Sequence, residues 1–302
     1  MGELAKKIVV TGGSGMVGKE LKKILPDAIY LSSYDYDLRF QHEVSDMLSK
    51  YEPTIIIHLA ALVGGITDNI NRPYDYFTDN ILMNSILIDY AKIHEVERFI
   101  GVLSTCIYPD VVDSYPMKES YLHKGPPTAT NFSYGISKRA MATQIDSCNE
   151  QYNTKYQYII PCNLYGLNDK FDNRSHFVAS LLMKIKKAVD NKDSFITLYG
   201  TGQPLRQFMN AKDLALVIKQ CIDNDVTDSF NLAPEENLTI KEIAQQTLDI
   251  LGLDLDIRFD SNFTDGQYRK DVDITKFKKL FPSFKFTNLA DGIKEVYDKI
   301  SC

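Results

Sequence analysis

The sequence predicts an α/β protein with a Rossmann-type parallel sheet and a smaller α/β substrate domain after it. Three features carry that reading. An apolar strand at the start runs into a glycine turn and a helix, the run "TIIIHLA" is apolar without alternation, and strand-like and helix-like segments repeat through "YQYIIPCNLYG". Alternating strands and helices of this kind build a parallel sheet covered on both faces.

The first unit reads "KKIVVT", then "GGSG", then "MVGKELKKIL": strand, turn, helix. A short strand "AIYLSS" follows Pro26, and the charged amphipathic stretch "FQHEVSDMLSKY" follows that. "TIIIHLA" has the unbroken apolar character of a strand buried on both sides. A helix is expected over 74–94, a strand at "RFIGVLS", then a loop rich in proline and tyrosine, and a helix beginning near Tyr134. From about 167 the rhythm changes to longer loops, "NDKFDNRSH" and "GTGQPLRQF". Helices follow around "TIKEIAQQTLDI" and "TNLADGIKEVYDKI", with the loop "DSNFTDGQYRKD" between them. The expected division is a cofactor-binding domain over 1–166, with a return segment near 195–222, and a mainly substrate-binding domain over 167–302.

With 302 residues the chain can bury a large core, and it approaches the length at which one core divides in two. A net charge of -6 gives no general attraction to nucleic acid. The five cysteines, Cys106, Cys148, Cys162, Cys221 and Cys302, form no CxxC pair, so neither a disulfide framework nor a cysteine-rich metal site is expected. The amino terminus shows no charged leader with a long apolar region, and Lys6 stands where an acylation signal at Gly2 would want serine or threonine. The longest apolar stretch, "TIIIHLAALVGGI", is too short to span a bilayer. A cytoplasmic protein without membrane or metal is the expectation.

Gly12, Gly15 and Gly18 form a GxxGxxG pattern between strand and helix. Such a turn lets the backbone approach a pyrophosphate while the amides at the helix start face its charge. "YLSSYDYDLR" places Ser32 and Ser33 at the strand end, with no carboxylate before Asp35 to repel the extra phosphate of NADP, so NADP(H) is favoured. Arg39, Lys6 and Lys7 are candidate phosphate partners, and Asp37 and Leu38 are placed to flank the adenine.

Tyr134 and Lys138 are four apart, on one face of a helix. A nearby ammonium favours phenolate and lowers a tyrosine's pKa, which makes the phenol a usable proton donor or acceptor. Ser104 ends "RFIGVLS", where open α/β sheets place their ligands, and its hydroxyl suits a substrate carbonyl. These three groups describe carbonyl reduction with hydride from the cofactor. Cys106 and His176 admit a second chemistry, because both titrate near neutrality and can remove and return a proton beside a ketone. The plainer readings are a buried packing cysteine and a helix-capping histidine. His58 is expected at a strand end near the cofactor.

With "HLAALVGGI", "LSTCIYP", "SYGISKRA", "PCNLYG", "NDKFD", "GTGQPLRQF" and "DGQYRK" added, almost the whole chain resembles one group of the extended short-chain dehydrogenase/reductase family. That group is the GDP-4-keto-6-deoxy-D-mannose 3,5-epimerase/4-reductases. The resemblance implies NADPH-dependent conversion of that substrate to GDP-L-fucose, with a homodimer formed through helices of the cofactor domain. It implies Ser104, Tyr134 and Lys138 as the reductase triad, Cys106 as epimerisation base and His176 as acid. Gly12, Gly15 and Gly18 match the NADP loop, and Asn163, Lys184, Arg206 and Lys270 match positions lining the sugar-nucleotide pocket. Three departures stand out: Ser14 and Lys184 where some members have arginine, and Gln207 in place of a common glutamate. The rival readings are a sister epimerase or dehydratase using bound NAD, and an inactive NADP-binding protein.

Overall fold

The structure, a computed structural model, describes residues 6–171 and 175–301; Gly2 and Cys302 lie outside them. In chain order, β1 (Ile8–Thr11) leads to α1 (Met16–Ile24), β2 (Ile29–Leu31) to α2 (Gln41–Tyr51), and β3 (Ile55–His58) to α3 (Ile66–Asn71) and α4 (Pro73–Ile93). β4 (Arg98–Val102) continues through short 3-10 turns to α5 (Phe132–Tyr152) and β5 (Lys155–Pro161). The remainder runs β6 (Asn163–Tyr165), α6 (Phe177–Asn191), β7 (Phe195–Tyr199), β8 (Leu205–Arg206), β9 (Phe208–Asn210), α7 (Ala211–Asp223) and β10 (Phe230–Leu232). It ends with β11 (Leu238–Thr239), α8 (Ile240–Leu251), β12 (Asp256–Asp260), α9 (Thr275–Leu280) and α10 (Leu289–Ser301).

A six-stranded sheet has the order β10-β5-β4-β3-β1-β2, with every neighbouring pair parallel. The fold class expected from the sequence is therefore the one observed. The chain steps from β1 outward to β2 and then back to β3, so a crevice opens beyond the carboxyl ends of β1 and β3. Open α/β sheets bind their ligands at that kind of reversal. All four residues of β3 are buried, which explains its lack of alternation. Val9, Val10, Ile56, Ile57, Phe99, Ile100, Ile159 and Ile160 are completely buried in this core, each contributing about 1.5–3 kcal/mol by leaving water.

On α5 the buried residues include Tyr134, Lys138, Met141, Ile145 and Cys148, a single stripe at helical spacing. The apolar members of that stripe anchor the helix, so the tyrosine and lysine are carried inward with it.

The run "YQYIIPCNLYG" splits into two strands. β5 lies between β4 and β10, whereas β6 pairs with β9 in a separate two-stranded sheet, and the Cys162 amide between them still donates to the Leu232 carbonyl. Of the segment 195–222, α7 packs on α1, while β7 pairs in parallel with β12 outside the large sheet. Leu181, Ile185, Ile196, Leu198, Ala244 and Leu248 form a distinct buried cluster under that small sheet. No helix among the described residues is long and apolar enough to cross a membrane.

Candidate active site

At the β1–α1 turn Gly12 has φ +72, and a Cβ there would lie 2.6 Å from the Ala60 amide nitrogen, so the turn admits only glycine. Gly15 is the N-cap of α1 and supplies no side-chain cap, and Gly18 is buried in the helix's first turns. A helix start lacking a side-chain cap and reached by a glycine turn suits a pyrophosphate, so the residues present fit a dinucleotide.

The adenosine side departs from the expectation. Asp35 folds back so that its Oδ2 accepts from both the amide and the hydroxyl of Ser32, at 2.8 Å each. Its distance along the chain therefore does not keep a carboxylate away from the end of β2. Arg39 forms a bidentate pair with Asp37 (2.9 and 2.7 Å) and also reaches Asp79 at 3.1 Å. Asp37 and Arg39 thus engage each other, and Leu38 is buried in the hydrophobic core. Lys7 pairs with Glu52, and Lys6 reaches the Ile222 carbonyl.

Ser104, Cys106, Tyr134 and Lys138 do come together. Ser104 starts the 3-10 turn Thr105–Ile107, and its Oγ accepts from the Cys106 amide at 3.3 Å. The turn sits directly on α5: a Cβ at Gly135 would lie 2.6 Å from the Cys106 carbonyl oxygen. Arg139 secures it by donating to the carbonyls of Ile107 and Gly125 at 2.9 and 2.8 Å. Burial, followed by the neighbouring Cys106 and Tyr76, pushes the Tyr134 phenol well above its ordinary pKa, while a hydrogen bond from Ser104 opposes them. The expected lowering by Lys138 is not what the structure shows. The Lys138 ammonium donates to the Val102 carbonyl at 2.9 Å, and burial brings its own pKa down to about 8. That ammonium is turned to the Val102 carbonyl and does not draw the phenol down.

His58 lies at the end of β3 and is completely buried. Its Nε2–H donates to Asn84 Oδ1 at 2.9 Å and its Nδ1 accepts from the Thr11 hydroxyl at 2.7 Å. Burial, then the charge of Lys138, pulls its pKa down to about 3, so it is a neutral strut between strands.

Lys270 and Arg206 arrive from the later part of the chain. Lys270 Nζ lies 3.3 Å from Cys106 Sγ. Burial raises the thiol's pKa, but Lys270, hydrogen bonds from Ser104 and Lys270, and the charge of Arg206 together bring it below the ordinary cysteine value. Burial lowers the Arg206 pKa, and its Nη1 donates to the Leu205 carbonyl at 2.8 Å. Asn163 donates to the Gln207 carbonyl at 2.9 Å. Gln207 is itself buried and uses both ends of its amide: Nε2 donates to the Pro234 carbonyl at 2.8 Å, and Oε1 accepts from the Val272 amide at 3.0 Å. Lys184 lies apart from this group, donating to the Thr197 carbonyl at 2.7 Å with its Nζ 4.2 Å from the centre of the Tyr199 ring. Tyr199 stacks on Phe263, with ring centres 3.8 Å apart, and both rings are exposed.

His176 is the N-cap residue of α6, and its ring nitrogen Nδ1 donates to Asp169 Oδ1 at 3.1 Å. The Ser175 carbonyl faces Gly65, and next to it Gly64 lies against the Tyr76 hydroxyl; the Tyr76 ring meets that of Tyr134 edge-on at 6.3 Å. The histidine loop and the tyrosine are thus linked through one loop. Asp169 and the Tyr199–Phe263 pair escaped the sequence reading, although "NDKFD" contains Asp169.

A model of the NAD dependent epimerase/dehydratase family matches residues 8–233, from β1 through the return of the chain at β10. The chain belongs to that family. It is an enzyme of the NAD dependent epimerase/dehydratase family, built as an extended short-chain dehydrogenase/reductase whose cofactor is of the NAD(P) type. Among its relatives is the GDP-L-fucose synthase of Dictyostelium discoideum, 33% identical over 96% of this chain and 93% of that one. The GDP-L-colitose synthase of Yersinia pseudotuberculosis is also 33% identical, over 94% of each chain. A crystal structure of a GDP-L-fucose synthetase from Naegleria fowleri bound to NADP has TM-score 0.89 and 31% identity, covering 99% of this chain and 94% of that one.

Proposed function

We propose that this enzyme epimerises GDP-4-keto-6-deoxy-D-mannose at C3 and C5 and then reduces its C4 ketone, giving GDP-L-fucose. The observation that carries the reading is the Cys106 thiol, drawn below its usual pKa by Lys270 in the same pocket as Ser104 and Tyr134. A carbonyl reductase needs no such thiol, whereas a base beside a ketone does.

In this reading Ser104 and Tyr134 hold the C4 oxygen. Cys106 takes a proton from the adjacent carbon, charge moves onto that oxygen, and His176 returns a proton to the other face. Hydrogen bonds from two groups already in place stabilise the developing oxyanion without reorganisation. After inversion, Tyr134 gives its proton to the C4 oxygen; its raised pKa keeps the phenol protonated at neutral pH. NADPH, when bound, supplies the hydride. The glycine turn at Gly12, Gly15 and Gly18 would hold its pyrophosphate, Asp37, Leu38 and Arg39 would border its adenosine, and Lys138 would meet its ribose. NADP rather than NAD is supported by the NADP-bound relative.

Residues 1–166 serve the cofactor, and 167–302 mainly the sugar nucleotide. Arg206 and Asn163 line the sugar-nucleotide pocket with Lys270, and Lys184 beside the Tyr199–Phe263 pair meets the nucleotide end through charge and stacking. The outer faces of α4 and α5 expose Phe77, Leu82, Ile93, Phe132 and Tyr152, and we assign them to a homodimer contact. Light scattering of the purified protein tests it, and a monomeric mass at micromolar concentration overturns it.

The deciding assay incubates the enzyme with GDP-4-keto-6-deoxy-D-mannose and NADPH, follows absorbance at 340 nm, and assigns product stereochemistry by NMR. GDP-L-fucose is the expected product. Absence of NADPH oxidation overturns the reading, and reduction without inversion removes the roles given to Cys106 and His176. The equally similar relative named GDP-L-colitose synthase supports a second reading, in which the same site takes a different GDP-keto-sugar; the same assay with that relative's substrate separates the two.

A further inference from the structure

We propose that Asp169 is a positioning residue for His176, and that the two form a carboxylate–imidazole dyad for the proton-returning step. The proposal rests on the epimerisation reading above for its chemistry, but on geometry for the pair itself.

His176 occupies the N-cap position of α6 with extended backbone, yet its side chain caps nothing. Its ring turns instead to Asp169. The pair is asymmetric: the carboxylate side chain is 4% exposed and the imidazole 40% exposed, so the acid lies inside and the ring faces outward. Asp169 Oδ1 accepts from the Lys170 amide at 2.8 Å as well as from His176 Nδ1 at 3.1 Å. Its Oδ2 is buried and has no hydrogen-bond partner among the described residues. A carboxylate held this way is costly unless a positive charge forms beside it. The imidazole is the group on which such a charge can form.

The consequence concerns which ring nitrogen works. An ionised carboxylate only accepts hydrogen bonds, so Nδ1 must carry a hydrogen and Nε2 is left as the exchangeable site. In the returning step the imidazolium Nε2–H bond breaks, the enolate's electron pair forms the new C–H bond, and the ring remains as the neutral Nδ1–H tautomer. Asp169 stays ionised throughout. A hydrogen-bonded carboxylate plays the same orienting part behind the histidine of hydrolytic triads.

The test uses the full-length enzyme with 15N-labelled histidine. NMR of the wild type is expected to show neutral His176 protonated on Nδ1. Asp169→Ala should release that preference and slow deuterium uptake at C3 and C5 in D2O by about 10²-fold, the scale on which an orienting partner of a histidine matters. NADP-linked oxidation of GDP-L-fucose at C4, which needs no epimerisation, should proceed at the wild-type rate. Asp169→Glu should recover the Nδ1–H form. A wild-type ring protonated on Nε2, or an Ala variant with undiminished uptake, overturns the dyad. Absence of deuterium uptake by the wild type sinks the proposed function instead, and the tautomer spectra then decide the dyad alone.

Discussion

Cys106 Sγ and Lys270 Nζ are 3.3 Å apart although 164 positions separate them in the chain. The ammonium opposes the burial that would otherwise hold the thiol protonated. Lys270→Met should therefore raise the thiol's pKa and slow alkylation of Cys106 by iodoacetamide at pH 7 about tenfold. Alkylation followed against pH, with mass spectrometry to identify Cys106, checks this. An unchanged profile means that Arg206 and Ser104 suffice.

In the proposed mechanism Tyr134→Phe removes the hydroxyl that protonates the C4 oxygen while keeping the ring against Tyr76. Reduction should fall by about 10²–10⁴-fold, the usual worth of a general acid. Deuterium uptake at C3 and C5 should persist, because Cys106 and His176 remain. Loss of both activities together would make the tyrosine's role one of binding.

His58 should make the protein sensitive to acid. Its folded pKa is about 3 against the ordinary 6.5, so between these values the unfolded chain binds a proton that the folded chain refuses. Stability therefore rises with pH across that window and is lost as pH falls through it. The histidine alone should remove about 1.5 kcal/mol between pH 6.5 and pH 5. Urea unfolding of the wild type and His58→Gln at the two pH values measures the difference. Parallel losses in both proteins would assign the acid sensitivity to carboxylates.

Gln207→Glu should be destabilising even though the resemblance makes glutamate the commoner residue at this position. The amide donates to Pro234 and accepts from Val272, and a carboxylate can do only the second. An unpaired buried carbonyl, facing a charge, costs about 1–3 kcal/mol. Chemical denaturation checks it, and a more stable variant would show that the 234 loop can turn its carbonyl away.

What was legible early follows short-range physics. The unbroken apolar character of "TIIIHLA" matches β3, all of whose residues are buried, and GxxGxxG matches a turn where Gly12 has φ +72. The four-residue spacing of Tyr134 and Lys138 put both on the buried face of α5. The charge relations near them were not legible. Asp35 stands beyond the end of β2 in sequence but folds back to Ser32, and Lys138 is placed to influence Tyr134 but donates its hydrogen bond to the Val102 carbonyl.

The sequence by itself determined the class of fold, the location of the dinucleotide turn and the set of reactive side chains, because periodicity, glycine geometry and helical spacing act between near neighbours. Only the tertiary structure decided how those side chains are charged and aimed. Lys270 reaches Cys106, Asp169 turns His176, Gln207 joins three segments, and burial sets Tyr134, Lys138 and His58. The physical reason is that a proton's affinity for a group depends on which distant residues exclude water from it and which charges they bring. Neither is a property of the local sequence.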